Sequence, residues 1–377
     1  MQSRSLDTLQ GKPSSISVYR DPYYSLKNTL LLFNGSPGLG SCVRRLWFNG
    51  YYSAETVALI FAIIRYCTNL NHLTVPWTAL RYGTKDDWSR LLGTSLEQRD
   101  PLSLELLAVD LSVKKISDAK NQYDEMPLDS GSVDFSRIER LKIFGNTNFM
   151  PITDSDLTAI ARTAKNLKEI HITGTSTVTL DGVMALVEAS HDSLQVLEHS
   201  PLSDDGFEHP KPTLSKDQDH LCKKLPQYPQ LRDLSISLPS LCEDIFEDTS
   251  VHWRGELQIR AGSLCDHSKD GTKALDHFWS ILDQARIFMA VRDQVGEGEL
   301  DIQLFVNYWI FDPRNRQVHG NIELGQALAD GSWPQSYSVS SKGPYGQTGL
   351  YGKDERPYSC ISEEEFAEGL KHGYISF

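Results

Sequence analysis

Residues 166–200 read NLKEIHITGTSTVTLDGVMALVEASHDSLQVLEHS, and the pattern that opens this stretch returns before the stretch ends. Leu167, Ile170 and Ile172 form the run L-x-x-I-x-I, and Leu194 and Leu197 begin the same run 27 residues later. Alternating apolar residues in a short run are typical of a β-strand with one buried face. The stretch therefore predicts two similar strands separated by a connecting segment.

The segments before these strands have apolar residues at helical spacing and repeat at the same interval. Leu157 and Ile160 are followed 27 residues later by Met184 and Val187. Residues 153–156, Thr-Asp-Ser-Asp, carry side chains that can accept hydrogen bonds from the free amide groups at a helix start. Helix and strand therefore repeat together as one unit.

Further copies of the strand pattern occur along most of the chain. They are VRRLWF (43–48), LNHLTV (70–75), LELLAV (104–109), IERLKI (138–143) and LRDLSI (231–236), with weaker copies ELQIR (256–260) and LDIQLFV (300–306). A unit of one strand and one helix near 27 residues is the leucine-rich repeat. Strands stack about 4.8 Å apart whereas helices need about 10 Å, so stacked units curve. We expect an α/β solenoid with parallel strands on its concave face and helices on its convex face.

The repeat pattern divides the chain into three parts. We predict a flanking cap over 1–40, the solenoid over 41–312, and a C-terminal cap with a Gly/Ser/Tyr-rich tail over 313–377. Longer intervals between strands predict insertions near 112–136 and 201–229.

The two ends of the chain carry their own helix patterns. Residues 23–33 predict a helix before the first repeat, and residues 363–366, Glu-Glu-Glu-Phe, predict a short acidic helix with a solvated face. We expect residues 331–359 to wrap the last repeat or to be mobile.

Composition disfavours several classes of partner. The net charge of −13 opposes nucleic acids and anionic lipid surfaces alike. No apolar run approaches the ~20 residues of a membrane helix. The six cysteines are scattered without a C-x-x-C pair, which indicates reduced thiols in the cytoplasm or the nucleus. We interpret one of them, Cys67, as a small packing residue that closes a repeat.

Catalytic patterns are missing from the sequence. It contains no phosphate-binding G-x-x-x-x-G-K-[ST], no G-x-S-x-G nucleophile elbow and no H-E-x-x-H metal motif. The sequence therefore predicts a protein that is not an enzyme and needs no cofactor or metal.

The candidate functional residues are those that alternate with the buried ones and so point to the concave face. For a protein partner on this face we predict contacts from Arg45, Trp47, His72, Arg140, Lys142, Phe144, Glu169 and His171. In the third repeat the same rule predicts Leu106, Ala108 and Asp110 on the concave face. Exposed aromatic and arginine side chains are the types that anchor protein partners. In the alternative interpretation, Trp47 and Phe144 only cover the insertion loops.

Several segments resemble the cysteine-containing leucine-rich repeats of F-box proteins, most of all those of filamentous fungi. They are TDSDLTAIA (153–161), NLKEIHITG (166–174), RLWFNG (45–50), LRYGTKDDWSRLL (80–92), GELQIRAGSLC (255–265), ILDQARIFMAVRD (281–293) and LDIQLFVNYWIFDP (300–313). The resemblance implies that the repeats hold a substrate, while an F-box binds the Skp adaptor of a cullin ubiquitin ligase.

The N-terminal region departs from that family. Residues 1–40 contain no L-P-x-E-[IL] stretch of an F-box, so the F-box is expected to be lost or to lie upstream of Met1. Two alternatives therefore stay open: a leucine-rich scaffold or inhibitor outside the ubiquitin system, and a regulator resembling leucine-rich GTPase activators.

Overall fold

The computed structural model is an α/β protein with a mostly parallel sheet. The structure describes residues 22–48, 54–93, 99–107, 133–145, 151–201, 221–264, 271–296, 298–306, 309–320 and 359–373. The chain divides into two compact units, Met1–Ser193 and Leu194–Phe377.

In the first unit, parallel strands alternate with helices, except that residues 108–132 between β3 and β4 lie outside the described part of the chain. The strands are β1 (Arg45–Trp47), β2 (His72–Pro76), β3 (Leu102–Leu107), β4 (Ile138–Phe144) and β5 (Glu169–Thr175), and each pairs with the next in chain order. The helices are α1 (Pro22–Gly35), α2 (Pro37–Ser41), α3 (Ala54–Ile64), α4 (Thr78–Tyr82), α5 (Lys85–Leu92), α6 (Asp154–Ala161) and α7 (Leu180–Ala189). The predicted helix over 23–33 is confirmed as α1.

One face of these strands forms the core of the first unit. Leu73, Leu104, Leu141 and Ile170 lie opposite one another on successive strands, and none of them is exposed to solvent. Burying such an aliphatic side chain contributes about 2 kcal/mol to folding. Buried and partly exposed residues alternate along β3, and successive side chains of a strand point to opposite faces, so the residues between the core leucines lie on the opposite, outward face. On β2 the outward Thr74 is itself only 1% exposed.

The register of the third strand differs from the prediction. Leu104, not Leu107, lies opposite Leu73 and Leu141, so the sequence motif places this strand three residues too late. A shift by an odd number of residues exchanges the two faces of a strand. Leu106, predicted to face outward, is fully buried. The outward residues are instead Ser103, Glu105 and Leu107, while Ala108 and Asp110 lie outside the described residues.

The helix start predicted at residues 153–156 is confirmed. The Thr153 amide donates to Asp156 Oδ2 over 2.8 Å, in a reciprocal capping box that begins α6. Asp156 is fully buried and also accepts two hydrogen bonds from the Arg81 guanidinium, at 2.7 and 2.6 Å. Arg81 belongs to α4, so this pair connects segments that are 75 positions apart in sequence.

The second unit continues the alternation and then changes direction. Its strands are β6 (Val196–Pro201), β7 (Asp233–Leu238), β8 (Gly255–Ala261), β9 (Leu300–Val306), β10 (Trp309–Asp312), β11 (Gln317–Gly320) and β12 (Ser359–Ser362); its helices are α8 (Leu221–Lys224), α9 (Gly271–Val295) and α10 (Glu363–Lys371), with two 3-10 turns at Leu225–Gln227 and Glu243–Phe246. Strands β6 to β9 are parallel, and β9 to β12 are antiparallel.

Other predictions about segments have mixed outcomes. Within the predicted insertions, 112–132 and 202–220 lie outside the described residues, as does 331–358 of the tail. The acidic helix exists as α10, but its face is not wholly solvated, because Phe366 is fully buried and Glu363 is 8% exposed.

Candidate functional site

The parallel register aligns the outward side chains of the first unit in two transverse rows. The first row contains Arg45, His72, Ser103, Arg140 and Glu169, and the second row contains Trp47, Thr74, Glu105, Lys142 and His171. Phe144 lies beyond the second row, opposite Leu107. The predicted contact residues of β1, β2, β4 and β5 are thus on one face of one compact unit.

The first row contains a firm ion pair. Arg140 donates to both carboxylate oxygens of Glu169, through Nη2 to Oε1 at 2.5 Å and through Nε to Oε2. These hydrogen bonds lower the pKa of Glu169 and raise that of Arg140. His171 Nε2 lies 3.4 Å from the same carboxylate. Arg140 is therefore held in a fixed position by its neighbour on β5.

The second row is organised by Glu105. Its Oε2 accepts a hydrogen bond from Thr74 Oγ1 at 2.8 Å, and its Oε1 lies 3.5 Å from Lys142 Nζ. His72 Nε2 lies 4.0 Å from Oε2. The side chain of Glu105 is only 19% exposed, so this carboxylate orients its neighbours more than it presents charge to solvent.

Glu105 was missed by the sequence analysis because the strand register was wrong. The alternation Leu102-Ser103-Leu104-Glu105-Leu106 could have revealed it, since period-two burial places Ser103 and Glu105 on the outward face. The L-x-x-L motif competes with that alternation wherever several leucines adjoin.

Burial and four charged neighbours set the environment of His72. Burial lowers the pKa of His72, and Arg45, Arg140 and Lys142 lower it further, while Glu105 opposes the shift. Repulsion from surrounding cations disfavours a protonated imidazole. The lowered pKa keeps His72 mainly neutral at pH 7.

Arg45 is the cation of this face that remains available. Its side chain is exposed on β1 and makes no ion pair within the residues that the structure describes. Beside it, a shallow groove of about 300 Å³ is bordered by Arg45, His72, Ser103 and Arg140. Glu139 and Lys168 also line the groove, and their charged groups lie 3.0 Å apart. A carboxylate could enter this groove and contact Arg45 directly.

Two aromatic side chains complete the outward face. Trp47 is 43% exposed and Phe144 is 36% exposed, unlike the aromatic residues of the core. They are three strands apart, which corresponds to about 14 Å across the sheet. Large aromatic surfaces beside fixed charges are typical of protein-binding anchors.

Other kinds of site have little support in the described part of the chain. Among those residues, no group of three or more His, Cys, Asp or Glu could hold a metal ion. No helix there is both long and apolar enough to cross a membrane. Cys67 is buried, and burial raises the pKa of its thiol to about 11, as expected for a packing residue rather than a nucleophile.

Comparison with known proteins gives no independent assignment. No protein-family model matches the chain, and no curated protein matches it significantly.

Proposed function

We propose that this chain is a non-enzymatic protein-recognition module, a leucine-rich-repeat solenoid whose concave face is the outward face of β1–β5. The alternation of parallel strands with helices supports this architecture. The observation that carries the functional proposal is the pairing of exposed Trp47 and Phe144 with two rows of ordered charges.

The chemistry of the face defines the partner segment. A carboxylate of the partner contacts Arg45 at the groove, whose lining also contains Arg140 and Lys168. Apolar or aromatic side chains of the partner pack on Trp47 and Phe144. The two anchors are offset by about 14 Å across the sheet and about 7 Å along it, so their separation of about 16 Å matches roughly five residues of extended peptide. The partner is therefore an acidic segment with apolar residues spaced along it.

Preorganisation explains how such a surface binds. The Arg140–Glu169 and Lys142–Glu105 pairs hold long side chains in place before a partner arrives. Binding then loses less side-chain entropy than it would on an unpaired surface, at about 0.5–1.5 kcal/mol per side chain. Both pairs are intramolecular, which leaves Arg45 as the main contact for an incoming carboxylate.

The resemblance to F-box proteins supports a more specific form of this proposal. In that form the bound segment belongs to a substrate of a cullin ubiquitin ligase, and the Skp adaptor and the cullin accompany the chain in cells. Their co-purification with the tagged chain is the expected result. A partner that requires Trp47 but comes without adaptor or cullin would instead favour a scaffold or inhibitor.

The test compares substituted chains in extracts of the source cells. Tagged wild-type chain, Trp47→Ala, Phe144→Ala and the control Tyr24→Ala are used to capture proteins for quantitative mass spectrometry. Tyr24 is an exposed aromatic residue on α1, away from the outward face. We expect a specific partner that Trp47→Ala and Phe144→Ala lose and Tyr24→Ala retains. Equal capture by all four chains would overturn the proposal.

A further inference from the structure

The C-terminal segment 359–373 adds to the second unit as a separate strand–helix element. Strand β12 pairs antiparallel with β11, with Ser359 opposite Gly320 and Ser362 opposite Gln317. The 38 positions 321–358 separate these paired residues in sequence. The segment thus extends a sheet edge in the way that bound peptides do in strand addition.

One side chain anchors the segment in an aromatic pocket. Phe366 of α10 is fully buried and meets Trp309 edge-on with ring centroids 5.0 Å apart. Its ring also lies 5.2 Å from that of Phe311 and 6.4 Å from that of Trp279. A single buried aromatic residue in a preformed pocket is the usual energetic centre of a peptide complex.

A charge contact and a backbone contact fix the orientation of α10. Glu363 pairs with Arg286 of α9, and its amide donates to the Arg316 carbonyl over 3.1 Å. Arg286 is held from the other side by Asp283, at 2.5 Å, and by the Pro313 carbonyl, at 3.2 Å. Residues outside segment 359–373 therefore hold Arg286 in position to pair with Glu363.

The segment also encodes its own helix start. Ser362 and Glu365 form a reciprocal capping box, with the Ser362 amide 2.8 Å from Glu365 Oε2 and the Glu365 amide 3.1 Å from Ser362 Oγ. Such local capping favours the bound helix before it docks. Strand pairing, an aromatic anchor, an ion pair and a self-capped helix together make a complete peptide ligand.

We propose that this site binds segment 359–373 either of its own chain or of another copy. The site consists of the β11 edge, the pocket of Trp279, Trp309 and Phe311, and Arg286. The second occupant is segment 359–373 of another copy, which offers identical contacts. A connection of 38 residues spans at most about 125–137 Å when extended, enough to reach a neighbouring molecule. Reciprocal exchange of this kind yields a symmetric dimer.

The protein concentration determines whether the site binds segment 359–373 of its own chain or of another copy. Docking within one chain dominates at low concentration because a tethered segment has an effective concentration on the order of millimolar. Exchange between copies becomes measurable as the protein concentration approaches that value. The site therefore favours monomers in dilute solution and exchanged dimers where the chain is locally concentrated.

A disulfide across β11 and β12 tests the exchange in the full chain. His319 and Cys360 are register partners, and His319 Nε2 lies 3.9 Å from Cys360 Sγ. The variant His319→Cys is made with the exposed Cys42 replaced by serine. It is incubated at about 1 µM or about 500 µM, concentrations well below and near the tethered value, then oxidised and separated on non-reducing gels.

We expect an intrachain disulfide at the low concentration and a covalent dimer at the high one, with neither in a control that also carries Cys360→Ser. Covalent dimer no more abundant than in that control would overturn the proposal, as would failure of the intrachain bond. An independent readout uses wild-type chains labelled with ¹⁴N and ¹⁵N and mixed at about 500 µM. Native mass spectrometry recorded immediately after dilution, before the exchange reverses, should detect mixed dimers, and Phe366→Ala should abolish them.

Discussion

Lys142 lies directly opposite Glu105 in the ladder of parallel strands, with its Nζ 3.5 Å from Glu105 Oε1. Thr74 donates to the same carboxylate from β2, so Glu105 joins three neighbouring strands. Because Glu105 already holds Thr74 and Lys142 in place, these side chains lose little conformational entropy when a partner binds. This relationship makes Glu105 the structural centre of the candidate binding face.

Replacing Glu105 by Gln should change the titration of His72. Glu105 is the group that raises the pKa of His72 against burial and the three cations. Its loss should lower the His72 pKa further, and we expect a stability cost of about 1 kcal/mol from the weakened hydrogen bond with Thr74. Histidine titration by NMR and urea unfolding measure the two effects. Glu139→Gln is the control and should leave the His72 titration unchanged.

The stability of the first unit should fall as the pH is lowered below about 6.5, the ordinary histidine pKa. His72 has a lowered pKa in the folded chain, so the unfolded chain binds a proton first and gains relative stability in this window. Urea titrations at pH 7, 6 and 5 measure the effect. His72→Asn should remove this part of the pH dependence, and an unchanged dependence would contradict the assignment.

The buried pair of Arg81 and Asp156 should dominate the stability of the first unit. The variant Arg81→Ala leaves the fully buried carboxylate of Asp156 without its bidentate partner, and this should lower the free energy of unfolding by about 3–5 kcal/mol. The matched control is Arg90→Ala, because Arg90 pairs with Asp86 in solvent and such pairs contribute at most about 1 kcal/mol. Chemical denaturation should separate the two variants clearly. Similar losses of unfolding free energy in the Arg81 and Arg90 variants would contradict the prediction that burial makes the Arg81–Asp156 pair the stronger one.

Cys67 should be chemically inert in the folded chain. Its thiol is buried and has a pKa of about 11, whereas Cys42 is exposed. A thiol reagent at pH 8 should modify Cys42 rapidly in the folded chain, whereas it should modify Cys67 only when the chain unfolds. Mass spectrometry of peptides after brief labelling identifies the modified residues. Rapid labelling of Cys67 would contradict its packing role.

Much of the local structure could be predicted from the sequence, because the repeated apolar pattern specifies both strands and helices. Capping at Thr153 was equally predictable, since the side chains involved are three positions apart. The error at β3 arose where adjacent leucines satisfied two registers and only pairing with Leu73 and Leu141 selected one. The burial of Phe366 depends on partners distant in sequence, which no local pattern contains.

The most direct test of the account is the affinity of a captured partner for purified full-length variants, measured by calorimetry. We expect Trp47→Ala and Phe144→Ala each to weaken binding by more than about tenfold, and Arg45→Glu to do so for an acidic partner. Tyr24→Ala and Arg90→Glu, exposed residues away from the outward face, should leave the affinity within about twofold. Unaltered affinity in all three of the first variants would contradict recognition by this face.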